Sequence, residues 1–114
     1  MPTEPEFFDL KYLNDLRDLF DDEFGDFAEK HLEDATRVLS EIEDAITKED
    51  FEIIKRHAHR LKSSWRQFGA LELGSLYRDF EFWGRESNPA DIKANIGALR
   101  TEKTKACEQL RTYC

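Results

Sequence analysis

Glycine, proline and cysteine are scarce in this chain, at five, three and two residues among 114. So few breakers exclude the frequent tight turns of a β-sandwich or barrel and leave room for long helices. No stretch approaches the roughly 18 consecutive apolar residues of a membrane span, and the opening Met-Pro-Thr-Glu-Pro-Glu lacks the basic segment and apolar run of a secretory leader. A soluble, cytoplasmic protein is expected, and Met1 favours a free-standing one. Cys107 and Cys114 fall in what reads as one helix, about 10 Å apart along its axis, too far for a disulfide, so reduced thiols are expected. Basic residues are outnumbered, 17 against 25 acids, for a formal net charge of −8. Nucleic acid and anionic membrane are therefore not expected partners.

The sequence has 39% hydrophobic residues, enough for a core, and 37% charged residues, enough for several wet helix faces. Its length fits one domain, residues 1–114. No run alternates with the period of two that marks a half-buried strand. After a loose lead-in over residues 1–6, Asp9 caps a short helix running to Phe20. A second helix is expected over residues 23–46, with Ala28, His31, Ala35, Val38, Ile42 and Ala45 on its apolar stripe. His31, on that stripe, reads as a core-edge residue with a satisfied hydrogen bond. Thr47 and Asp50 have capping-box spacing and predict a third helix over residues 48–68, ended by Gly69. A fourth over residues 71–86 buries Leu73, Leu76, Phe80 and Trp83. Pro89 starts the fifth, which carries Ile92, Ile96, Leu99, Ala106, Leu110 and Tyr113. The expected fold is all-α, an antiparallel four-helix bundle with an additional short N-terminal helix.

In the third helix Phe51, Ile54, Ala58, Leu61, Trp65 and Phe68 define the buried stripe by steps of three and four. At about 100° per residue His59 lies roughly 140° from the middle of that stripe and His57 only about 60° from it. His59 should face water and His57 should edge the core. The two lie about 200° apart around the helix, so they cannot chelate one metal ion. No metal site is expected. Around His59, at helical-neighbour spacing, stand Lys55, Arg56, Lys62, Ser63 and Arg66, with Arg60 beside them. Residues 55–66 hold five basic side chains and no acid, so an anion is the expected ligand of this face. Lys62, one turn along at the surface, would set an ammonium beside whatever the imidazole carries. A small residue at position 63 would leave room for a partner.

The run Ala58-His59-Arg60-Leu61-Lys62-Ser63-Ser64, then Gly69-Ala70 and then Leu73, Leu76, Phe80, Glu81, Gly84 and Arg85, resembles the histidine-phosphotransfer (HPt) family. Its pattern is A-H-x-L-K-G-S with Gly-Ala downstream and L-E-x-x-G-R one helix later. The resemblance is strongest over residues 51–86. It implies that His59 is the phosphoacceptor and that Lys62 helps neutralise the phosphoryl oxygens. Ser63 and Ser64 would be the small residues that let a receiver loop approach, and Glu81 sits where some members support the imidazole by hydrogen bonding. Two positions depart from the pattern: Ser63 stands where Gly is usual, and Trp65 is bulky where a small residue is common.

The resemblance further implies a phosphocarrier that relays a phosphoryl group between phosphoaspartates of a hybrid sensor kinase's receiver domain and a response regulator's receiver. No cofactor of its own is expected, the Mg²⁺ residing on the receivers, and the chain is expected to act as a monomer. A neutral imidazole nitrogen is a good nucleophile near neutral pH, and phosphoryl transfer needs mainly in-line positioning and charge stabilisation. No Gly-rich phosphate loop is present, so the chain is not expected to be an enzyme that phosphorylates itself from ATP. The alternative from the residues alone is a phosphorylation-independent helical adaptor whose basic face docks an acidic partner.

Overall fold

The computed structural model describes residues 8–113, so the expected lead-in over residues 1–6 and Cys114 lie outside the described residues. Five α-helices follow in order: α1 Leu10–Phe20, α2 Phe24–Thr47, α3 Phe51–Phe68, α4 Leu71–Arg85 and α5 Pro89–Tyr113, with a single 3₁₀ turn at Asp21–Glu23. Helix α2 packs on α3 and α5, and α4 packs on the same two, which closes a four-helix bundle; α1 lies across α2 and α3. Short connections make neighbours antiparallel.

Each boundary has a local cause. Asp9 caps α1 by accepting from the Lys11 N–H at 3.0 Å. Asp50 alone is the N-cap of α3, accepting from the Ile53 N–H at 3.3 Å. Thr47, expected to open that helix, is instead the last residue of α2, its hydroxyl bonded to the Glu43 carbonyl. Lys48 and Glu49 form the turn between them, Glu49 at φ 52°. Gly69 ends α3 in the left-handed conformation (φ 91°), where its N–H donates to the Arg66 carbonyl and that of Ala70 to the Trp65 carbonyl. Here α1 is fastened to α3: the Asp9 N–H donates to the Gly69 carbonyl at 2.7 Å, and a Cβ on Gly69 would lie 2.7 Å from the Asp9 carbonyl oxygen.

The stripes meet in one core. Ile54, Ala58, Leu61, Trp65 and Phe68 of α3 are buried against Ala28, Leu32, Ala35, Val38 and Ile42 of α2, and against Leu73, Tyr77 and Phe80 of α4 and Ile92, Leu99, Ala106 and Leu110 of α5. Full burial of each large side chain contributes about 1.5–3 kcal/mol. Trp65 is completely buried, tilted against Phe8 and meeting His31 edge to face, with ring centroids 4.3 Å apart. On α4, Tyr77 joins the core while Leu76 and Trp83 pack only partly buried against it.

His31 departs from the sequence reading. It is buried rather than at the edge, stacked on Phe68 with centroids 4.5 Å apart, and its Nε2 has no hydrogen-bond partner among the described residues. Charging an imidazole at this depth would strip the cation of water. Burial, partly offset by Asp34, pushes its pKa down to about 4.

Two predictions follow from this packing. Between pH 6.5 and 4 the unfolded chain binds a proton at His31 that the fold refuses. Its contribution is thus fully present above pH 6.5 and is lost as the pH falls toward 4, by up to about 3 kcal/mol. Urea unfolding of His31→Leu should show a shallower loss of stability over that range than wild type; equal slopes would contradict the assignment. A Cβ on Gly84 would lie 3.0 Å from the Lys55 backbone nitrogen, so Gly84→Ala should cost about 1–3 kcal/mol by urea unfolding, as overpacking does.

Candidate functional site

Close approach of α3 and α4 builds the site. Gly84 lets the α4 backbone come against that of Lys55, and Gly74 accommodates the aliphatic stem of Arg66. Because the two helices run antiparallel, Glu81 then falls opposite His59 and Lys62. His59 Nδ1 lies 2.7 Å from Glu81 Oε2, and Lys62 Nζ donates to Glu81 Oε1 at 2.7 Å. Arg85, one turn further along α4, brings its guanidinium to 3.7 Å from the same carboxylate.

The three central side chains differ in access to water. That of His59 is 65% exposed and that of Lys62 18%, and Glu81 as a residue is 8% exposed although it borders an open depression. Lys62 is therefore not the free surface lysine that its sequence position suggests. Burial works against the Glu81 charge, but the hydrogen bonds from Lys62 and His59 and their nearby charges outweigh it and hold the carboxyl below its ordinary value. An ionised carboxylate can only accept, so Nδ1 must carry the proton of this hydrogen bond. In the neutral ring the unshared pair is then on Nε2, at the far side of the imidazole from Glu81.

The remaining residues singled out from sequence share the His59 side of α3 but have their own partners. Lys55 pairs with Glu52 at 3.0 Å, and Arg56 approaches the same carboxylate at 3.7 Å. Arg66 leans on Gly74, and Ser63 is exposed one turn after His59. Ser64 is bonded back to the Arg60 carbonyl. Arg60 turns away to Asp34 of α2 at 2.6 Å, and that bond is the main cause of the lowered Asp34 pKa. His57 turns the same way, its Nε2 2.9 Å from Glu41. Four of the five cations counted along residues 55–66 thus have an acidic partner outside that window, Lys55 and Arg56 sharing one. Among the described residues no group of three His, Cys, Asp or Glu side chains is arranged to hold a metal ion.

Sequence reasoning missed part of the rim. The depression is lined by His59, Lys62, Arg78, Asp79, Glu81, Phe82 and Arg85. Arg78 and Phe82 are exposed and follow the outer face of α4 at a spacing of four, the signal that could have found them. No helix among the described residues is long and apolar enough to cross a membrane.

This arrangement offers one outward nucleophilic nitrogen with cations on both flanking helices. Comparison with known proteins bears on what it serves. No curated protein matches the chain significantly. The fold is similar to the crystal structure of histidine-containing phosphotransfer protein B (HptB) from Pseudomonas aeruginosa PAO1, with a TM-score of 0.87 and 20% identity over 96% of this chain and 97% of that one. At that identity the likeness is one of fold. The family model described as Hpt domain matches residues 26–113. With most of its length inside that match, the chain belongs to the Hpt domain family, the histidine-phosphotransfer proteins of phosphorelays.

Proposed function

We propose that this chain carries a phosphoryl group on His59 Nε2, taking it from the phosphoaspartate of one receiver domain and giving it to the aspartate of another. The observation that carries this reading is the bond from His59 Nδ1 to the little-exposed Glu81 carboxylate, which fixes the ring's tautomer and orientation and leaves Nε2 outward.

The step needs little from the carrier. The Nε2 lone pair attacks phosphorus in line while the bond from phosphorus to the aspartyl oxygen breaks, and the aspartate leaves as a carboxylate. No proton moves, because Nδ1 already holds one. The product ring bears phosphoryl on Nε2 and a proton on Nδ1, so positive charge develops in the imidazole beside Glu81. The carboxylate therefore stabilises what forms on the ring, and Lys62 and Arg85 offset its repulsion of the phosphoryl oxygens. Attack by a second receiver's aspartate on phosphorus reverses each change and restores the neutral imidazole. Mg²⁺ comes with the receivers, as does the phosphoaspartate. Ser63 supplies a small neighbour for the incoming loop, and the cations Lys55, Arg56 and Arg66 form an outer positive field rather than direct phosphate ligands. The chain acts as a phosphocarrier without kinase activity of its own, in the cytoplasm and as a monomer.

A phosphorylated receiver domain is expected to label wild-type protein and not His59→Gln, with the helical circular dichroism of the two alike; equal labelling would overturn the assignment. Lys62→Ala should both slow transfer, by about tenfold, and lower unfolding free energy by about 1–2 kcal/mol, because it strips a little-exposed carboxylate of a donor. Rapid-quench transfer and urea titration test the two effects separately, and unchanged transfer would remove Lys62 from the chemistry.

A further inference from the structure

Phe82 stands out among the large hydrophobic side chains. Among the described residues four are well exposed, Tyr12, Leu19, Leu71 and Phe82, and of these Phe82 (53% exposed) alone borders the depression that holds His59. The inward face of α4 is already filled by Leu73, Tyr77 and Phe80, and by Gly84 where the helices touch. Phe82 follows Glu81 on the opposite side, between Arg78 four residues before it and Arg85 three after. Both arginines are open to water, and their contacts with Asp79 and Glu81 are loose, at 3.6 and 3.7 Å. On α3 three cations are held more closely, Lys62 to Glu81 at 2.7 Å, Arg60 to Asp34 at 2.6 Å and Lys55 to Glu52 at 3.0 Å, while Arg56 reaches Glu52 only at 3.7 Å. A partner that recruited those three would first have to break their pairs.

Resting on the phosphocarrier reading, we propose that Phe82, framed by Arg78 and Arg85, is the anchor of the receiver-docking surface, so that docking affinity resides on the outer face of α4 rather than on the basic cluster of α3. Geometry requires that a docked receiver cover it. Packed helices lie about 8–10 Å apart, and a protein partner covers about 800 Å² of each surface, a disc of roughly 16 Å radius. A globular donor reaching Nε2 of His59 therefore also reaches the outer face of α4. The occupant that fits is a receiver face with an apolar patch to take the ring and carboxylates around its phosphoaspartate to meet the two arginines. An aromatic side chain flanked by arginines is the composition that concentrates binding energy at the centre of interfaces.

The test uses the full chain with two phosphodonors: phosphoramidate, which needs no docking, and the phosphorylated receiver domain that labels wild type fastest among those of the source genome. For Phe82→Ala the receiver concentration giving half-maximal transfer rate should rise about tenfold or more, the equivalent of losing one well-buried aromatic contact. The drop in receiver-dependent labelling at low receiver should exceed any drop in phosphoramidate labelling by at least about the same factor. Phe82→Leu should recover much of the loss, and Arg56→Ala should shift half-saturation less than Phe82→Ala. An unchanged half-saturation in Phe82→Ala, an equal drop with both donors, or a larger effect from Arg56→Ala would each overturn the proposal. Failure of every receiver to label wild type would instead overturn the phosphocarrier reading on which it rests.

Discussion

Keeping the Glu81 carboxylate ionised with so little exposure requires donors at hydrogen-bond distance, and two come from the neighbouring helix: His59 Nδ1 and Lys62 Nζ, each at 2.7 Å. An uncompensated ion in that position would cost several kcal/mol, so the pairing adds to the apolar core in constraining the relative placement of α3 and α4. Gly84 is where that constraint meets the backbone, since a Cβ there would lie 3.0 Å from the Lys55 nitrogen, whereas one at Gly74 would meet the Arg66 side chain. The exposed histidine is thus rigid for a reason lying below the surface. Its tautomer, its orientation and its outward nitrogen all derive from one carboxylate.

Seen this way, Glu81 works in two directions. In the resting protein it accepts the hydrogen bond that holds the imidazole; in the proposed relay, with phosphoryl on Nε2, it would face a ring that has gained positive charge. The repulsion between its carboxylate and the phosphoryl oxygens is moderated by Lys62 and Arg85, which already stand beside it. The proposed transfer needs no mobile catalytic group of the carrier, only one nucleophile held in place by its neighbours.

Much of the fold was legible because the apolar spacing and the end signals agree. The stripe through Ile54, Ala58, Leu61, Trp65 and Phe68 identified both the buried side of α3 and, by subtraction, the exposed position of His59. Gly69 and Pro89 marked their boundaries by φ preference alone. Thr47 misled because two residues three positions apart could each cap, and the choice of Asp50 depended on where α2 ran out. His31 was placed at the edge because periodicity gives a direction and not a depth; stacking on Phe68 and Trp65 is a tertiary fact. From spacing alone the site was legible only along one helix, and Glu81 of the next helix entered through the family resemblance. Counting charges over residues 55–66 gave a cationic face, yet Asp34 of α2 and Glu81 of α4, distant in sequence, cancel much of it. For the same reason Lys62 read as a free surface residue, and Phe82 read as nothing in particular until α4 was seen beside His59.

The central claim is that Glu81 fixes which ring nitrogen reacts. Nuclear magnetic resonance of protein carrying ¹⁵N-labelled histidine, phosphorylated by its receiver, reads this directly through coupling between phosphorus and the ring nitrogens. The account predicts phosphorus bonded to Nε2 of His59 with a proton retained on Nδ1. Phosphorus on Nδ1, or on His57 or His31 instead, would contradict it.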